Sequence, residues 1–142
     1  MNNLITLFDL IGVLARQRYQ TAERYFSTLG LNHTEARLLT LLHKENGATT
    51  QDALSNLLFV DRSNAGRALK SLEHEGYIER CQHDTDKRTN LVQITARGRE
   101  TVAEILKLKE KMVENFFGDL NEAEAGKIVA LLRKIYPNEQ DA

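Results

Sequence analysis

From Asp61 to Lys70 the chain reads Asp-Arg-Ser-Asn-Ala-Gly-Arg-Ala-Leu-Lys, and the helical period divides it cleanly. With Asp61 as the cap, Ala65, Leu69 and Leu72 fall on one face, while Arg62, Ser63, Asn64 and Arg67 lie away from it. Those polar types suit the edges of base pairs. A guanidinium pairs bidentately with guanine and a carboxamide with adenine, each contact contributing roughly 1–3 kcal/mol of discrimination. Lys70 is placed toward a phosphate, a contact that positions a protein without reporting sequence. Ala65 and Gly66 are small enough to let backbone approach a duplex, although Gly66 weakens the helix by about 1 kcal/mol relative to alanine.

A charged helix face is by itself usually a solvated one, so a second charged element matters. Ile78–Cys81 and Leu91–Thr95 are short β-prone runs around the turn-rich segment Gln-His-Asp-Thr-Asp-Lys-Arg-Thr-Asn, which predicts a hairpin. Asp86, Lys87 and Arg88 stand at its tip. Arg88 suits a minor groove, whose potential attracts guanidinium, and Asp86 can hold it through a charge-assisted pair. A helix followed by a basic-tipped ribbon implies nucleic-acid recognition.

Other chemistries find less support. Cys81 and His83, with His43 and His74 elsewhere, lack the paired ligand spacing of structural zinc, so no metal and no cofactor is expected. A metal- or redox-responsive role for Cys81 and His83 stays open as an alternative. No Ser/His/Asp set, glycine-rich phosphate loop or carboxylate pair stands out, and no enzymatic activity is expected.

The elements that must hold these residues follow from apolar periodicity and caps. Leu4, Leu7, Phe8, Ile11, Leu14, Ala15, Ala22, Tyr25, Phe26 and Leu29 form a stripe along one long first helix that ends near Gly30. Asn32 with Glu35 reads as a capping box for a second helix, which carries Leu38, Leu39, Leu41 and Leu42 and stops at Asn46-Gly47. Thr49 or Thr50 caps a third helix from Gln51 to Leu58, and Asp61 starts the fourth, which stops at Gly76. After the hairpin, Thr95 caps a fifth helix whose stripe runs Val102, Ile105, Leu108, Met112, Phe116 and Leu120, interrupted at Gly118. Asn121 and Glu124 open a last helix that Pro137 ends. The fold is thus mainly α with a small β-hairpin wing: a winged helix-turn-helix flanked by long N- and C-terminal dimerisation helices. A second subunit is expected to cover the apolar surface of those terminal helices.

Length, charge and thiol content set the outer limits. The 142 residues suit one domain, and a net charge of -1 excludes an indiscriminately basic body. Bases outnumber acids between Asp61 and Arg99, and acids outnumber bases from Glu100 onward. The single cysteine excludes an intrachain disulfide framework and fits a reducing compartment. The apolar stretch Leu4 to Ala15 is broken by Thr6, Asp9 and Gly12, so no membrane span is expected and the cytoplasm is the expected location.

The run from Asp86 through Lys87, Arg88, Leu91, Val92, Ile94 and Thr95 to Gly98 resembles the wing signature of the MarR family of transcriptional regulators. Val60-Asp61-Arg62-Ser63, Leu72-Glu73 and Gly76-Tyr77-Ile78-Glu79-Arg80 resemble that family's recognition helix and its exit. The resemblance implies a homodimer that reads a pseudo-palindromic double-stranded DNA operator, usually to repress transcription. Residues 1–30 and 100–142 would pair the subunits and residues 31–99 would bind DNA. Arg62, Ser63, Asn64 and Arg67 are then the recognition surface, and Arg88 enters the minor groove. Two positions depart from the family pattern: Phe59 stands where a glycine is common, and Gly66 replaces a hydroxyl-bearing or branched residue. The resemblance also implies release by a small phenolic or lipophilic anionic effector in a crevice between the dimer helices and the winged domain. Tyr19, Tyr25, Arg16, Arg18 and His33 could line such a crevice; core or interface tyrosines and solvated arginines are the alternative. A protein-interaction adaptor would be expected to lose its basic wing, and here that wing is intact.

Overall fold

The computed structural model describes residues 2–58, 62–82 and 90–137. Helix α1, Asn3–Phe26, opens on Asn2, whose side chain accepts from the backbone N–H groups of Leu4 and Ile5. A short 3-10 turn, Ser27–Leu29, carries it to Gly30. Helix α2, His33–Lys44, starts with the expected capping box: Glu35 N–H donates to Asn32 Oδ1 at 2.8 Å, and Asn32 N–H to Glu35 Oε1 at 2.9 Å. This satisfies two of the donors that a helix start leaves unpaired.

Strand β1, Ala48–Thr50, comes next and leads directly into helix α3, Gln51–Leu58. Thr50 does cap α3, accepting from Ala53 N–H at 3.1 Å, but it is also a strand residue. The predicted hairpin is therefore part of a three-stranded antiparallel sheet. Strand β2 spans Ile78–Gln82 and β3 spans Asn90–Ile94, in the spatial order β1-β3-β2 with Thr49 opposite Val92 and Arg80 opposite Val92 on the other side. Val92 lies at the centre and is fully buried.

Helix α4, Arg62–His74, ends in a Schellman motif. Tyr77 N–H donates to the Leu72 carbonyl and Gly76 N–H to the Glu73 carbonyl. Gly76 adopts φ +82°, a conformation open to glycine at no steric cost. Helix α5, Ala96–Phe116, begins with Thr95 Oγ1 accepting from Gly98 N–H at 3.1 Å. Gly98 is required for a different reason: a Cβ there would stand 2.3 Å from the Tyr77 carbonyl oxygen, a backbone atom that cannot step aside. Helix α6, Glu122–Leu132, opens on the second expected capping box, Asn121 with Glu124. It stops before Pro137, through tighter bonds from Lys134 N–H to the Leu131 carbonyl and from Ile135 N–H to the Leu132 carbonyl.

The core is built by the middle of the chain. Leu38, Leu39 and Leu42 of α2 join Leu54 of α3, Leu69 and Leu72 of α4, Ile78, Val92 and Val102 behind the sheet and at the start of α5. Burial of such side chains contributes about 1.5–3 kcal/mol each. The outer helices differ sharply. In α1 only Ala22 and Phe26 are buried, and α6 has no buried residue. Of the α5 stripe, Val102 and Ile105 are buried, Leu108, Met112 and Phe116 are half-buried, and Leu120 lies beyond the helix end.

Candidate nucleic-acid interface

Helix α4 divides its faces as its sequence requires. Ala65, Ala68, Leu69 and Leu72 are buried, whereas Ser63, Asn64, Arg67 and Lys70 face solvent. Ala65 thus serves the core and is not available to ease a duplex toward the backbone. Gly66 has no packing need for its missing side chain, since an added Cβ would meet only Gln51 Nε2, at an ordinary 3.7 Å. The Arg67 guanidinium donates to Asn64 Oδ1, which orders these two polar side chains of the face together. Arg62 is the first residue of the helix, and its side chain lies outside the described residues. Asp61, expected as the cap, Phe59, and Asp86, Lys87 and Arg88, expected at the hairpin tip, also lie outside them, as does His83.

Two nearby cations that contribute to the basic middle of the sequence are already engaged. Arg80 of β2 meets Glu73 of α4 at 3.0 Å and donates to Gln51 Oε1 of α3 at 3.3 Å, tying three elements behind the exposed face of α4. Arg97 of α5 donates to the Glu75 carbonyl at the end of α4. Both serve the scaffold, leaving Arg67 and Lys70 as the described cations displayed by α4.

A second feature is a cavity of about 180 Å³ between α1, α2 and α5. Apolar groups including Phe26, Met112 and Phe116 form much of its wall, and Arg18, His33, Arg37, Lys44 and Lys109 bring positive or protonatable groups to it. Burial, reinforced by the charges of Arg18 and Arg37, pushes His33 down to about 4 from 6.5, with Glu23 opposing. Lys109 is also lowered, first by burial and then by Lys44, Arg18 and Arg37. The backbone N–H of His33 donates to Glu23 Oε1 at 2.7 Å, while its ring Nδ1 is buried without a hydrogen-bond partner among the described residues. The cavity thus gathers cations beside a wall that disfavours charge on His33 and Lys109, an arrangement that an anion would relieve.

Of the five residues suggested for a crevice, Arg18 and His33 line the cavity. The Tyr19 and His33 rings form a T-shaped pair with centres 5.3 Å apart, Tyr25 accepts from Asn115 through its hydroxyl at 3.3 Å, and Arg16 is not among the lining residues. Arg37, Lys44 and Lys109 were missed. Their signal was present in part: His33, Arg37 and Lys44 recur at helical steps of four and seven along α2. Cys81 is a free, exposed thiol on β2, and among the described residues no group of three His, Cys, Asp or Glu side chains is arranged to hold a metal. No helix among them is long and apolar enough to cross a membrane.

Helices α3 and α4, the strand before them and the antiparallel pair after them define a winged helix-turn-helix protein. Residues 31–89 match the MarR family model. The chain is 32% identical over 107 residues to the transcriptional repressor MprA of Escherichia coli (strain K12), covering 75% of this chain and 61% of that protein. It therefore spans about three-fifths of the length of that curated relative. Its backbone matches a mutant MarR from E. coli complexed with operator DNA, with a TM-score of 0.83 and 25% identity over 96% of this chain and 97% of the other. It also matches a crystal structure of MarR with a TM-score of 0.81 and 28% identity, over 92% and 95% of the two chains. Residues 31–89 are thus a MarR-family domain.

Proposed function

We propose that this protein is a cytoplasmic, homodimeric transcriptional regulator that binds double-stranded DNA, acts as a repressor, and has no enzymatic role. The observation that carries this reading is α4: a helix locked into the core on one face while Ser63, Asn64, Arg67 and Lys70 are held out on the other. The fold match to MarR bound to operator DNA supports placing that face in a major groove. Arg62 joins it at the helix start, and Asp86, Lys87 and Arg88 complete the reading as a wing with Arg88 in the minor groove. Residues 31–99 form the DNA-binding part, and 1–30 with 100–142 form the dimer. Two copies related by a twofold axis would meet half-sites about one helical turn, roughly 34 Å, apart.

Fluorescence anisotropy with a duplex from the region upstream of the protein's own gene tests this. Arg67→Ala should lower affinity by the equivalent of about 1–3 kcal/mol and relax sequence preference, because it removes a base contact. Binding by Arg67→Ala and Arg88→Ala that equals the unaltered chain in strength and preference would refute the assignment.

The cation-lined cavity favours regulation by a small anion with an apolar body. Benzoate should bind and benzamide, which has the same shape without the charge, should not. Equal binding of both would remove charge from the recognition.

A further inference from the structure

We infer that Arg97 is a positioning residue that fixes the pitch of α4 from α5, linking the cavity to the DNA-reading face. The inference rests on the DNA-binding reading above. Arg97 is exposed in the first turn of α5, yet its guanidinium is committed at three points. One Nη donates to the Glu75 carbonyl at 2.7 Å, the other reaches the Tyr77 hydroxyl at 3.4 Å, and the guanidinium carbon stands 4.5 Å from the Tyr77 ring centre. An exposed side chain with this much rotamer freedom loses entropy on being held, so the contacts must outweigh that loss.

The position of Glu75 gives the contact its meaning. A helix leaves its last carbonyls without internal partners. In α4 the Ser71, Leu72 and Glu73 carbonyls accept from Glu75, Tyr77 and Gly76 N–H groups, and Arg97 takes the Glu75 carbonyl. The cation also lies at the negative end of the helix dipole. The remaining ties across this junction end one or two residues later: the Thr95 hydroxyl lies 2.7 Å from the Gly76 carbonyl, Thr95 N–H donates to the Tyr77 carbonyl, and Gly98 packs on that same carbonyl. Arg97 is the described side chain of α5 that reaches back to the end of α4.

Helix α5 is continuous from Ala96 to Phe116, so Arg97 belongs to the same rod as Ile105, Leu106 and Lys109, which line the cavity. Eight residues separate Arg97 from Ile105, about 12 Å along the axis. A displacement of α5 at the cavity therefore arrives at the base of α4 through this guanidinium. A misaimed α4 keeps its phosphate contacts and loses base edges, which distinguishes positioning from general support.

The test uses the full chain and its Arg97→Ala and Arg97→Lys variants. Anisotropy is measured on the upstream duplex and on a scrambled duplex of equal length and composition, at several salt concentrations. Hydrogen exchange across residues 71–78 is followed without DNA. Arg97→Ala should lose about tenfold in affinity for the upstream duplex, a fraction of one bidentate contact, while scrambled binding and the salt slope stay unchanged. Exchange should quicken at residues 71–78, and lysine should restore part of both, because it carries the charge without the stacking plane. Equal loss on both duplexes, a salt slope lower by about one, or unchanged affinity and exchange would each overturn the inference. If the unaltered chain fails to distinguish the duplexes, the DNA-binding reading falls; the exchange measurement then decides the junction alone, and no change in Arg97→Ala overturns it.

Discussion

Leu39 and Phe8 are both large apolar side chains on helices, but Leu39 is fully excluded from water and Phe8 is 77% exposed. The contrast extends to the regions around them. From α2 to the start of α5, each apolar face meets another element of the same chain. Along the first two-thirds of α1 and along α6, Leu4, Phe8, Leu10, Val13, Val129 and Leu131 remain open. Apolar area left in water forgoes about 25 cal/mol per Å² of stabilisation. The comparison separates residues that fold this chain from residues suited to joining it to another.

The largest effect is expected at the folded centre. Leu39→Ala should lower the free energy of unfolding by about 2–5 kcal/mol in a denaturant titration, since a sealed core cannot collapse onto the void. Phe8→Asp should instead act on assembly, weakening self-association by about 2 kcal/mol or roughly 30-fold in sedimentation, in the range of an interface hot spot. If Phe8→Asp associates like the unaltered chain, the two regions do not divide labour in this way.

His33 sharpens the boundary, because it lines the cavity where α1 and α5 approach α2. Its folded value is near 4 and its ordinary value is 6.5, so the unfolded chain takes the proton first as pH falls. The neutral ring's contribution is fully present above 6.5 and is lost progressively down to about 4. His33→Gln should therefore show a shallower loss of stability than the unaltered chain across that window. Parallel curves would argue against a depressed His33.

Gly66→Ala should have the smallest effect and the opposite sign. The site has room at 3.7 Å and helical geometry, so the change should stabilise by about 1 kcal/mol or less. A destabilised variant would reveal packing around α4 beyond that contact.

Much of this organisation was legible from local chemistry. The capping boxes at Asn32 and Asn121, the Thr95 cap and the buried face of α4 all depend on residues within a few positions of one another, so they could be read directly. Strand β1 could not. Thr49 and Thr50 suit a helix cap equally well, and their strand character comes from pairing with Val92 and Leu91, far along the chain. The cavity was legible only where one helix face revealed it: Arg18, Arg37, Lys44 and Lys109 sit on three helices, and each taken singly resembles a solvated cation. Arg97 was hidden for the same reason, since its acceptor on Glu75 is a backbone atom with no signature of its own.

Cys81 has a practical consequence. It is the only thiol in the sequence, and it is exposed on β2, the strand that follows α4. A maleimide fluorophore or nitroxide can therefore be attached once per chain, with no thiol to remove and none to engineer. Paired copies would carry two identical reporters, and the separation between them would give a direct ruler for how the two halves of the assembly rearrange.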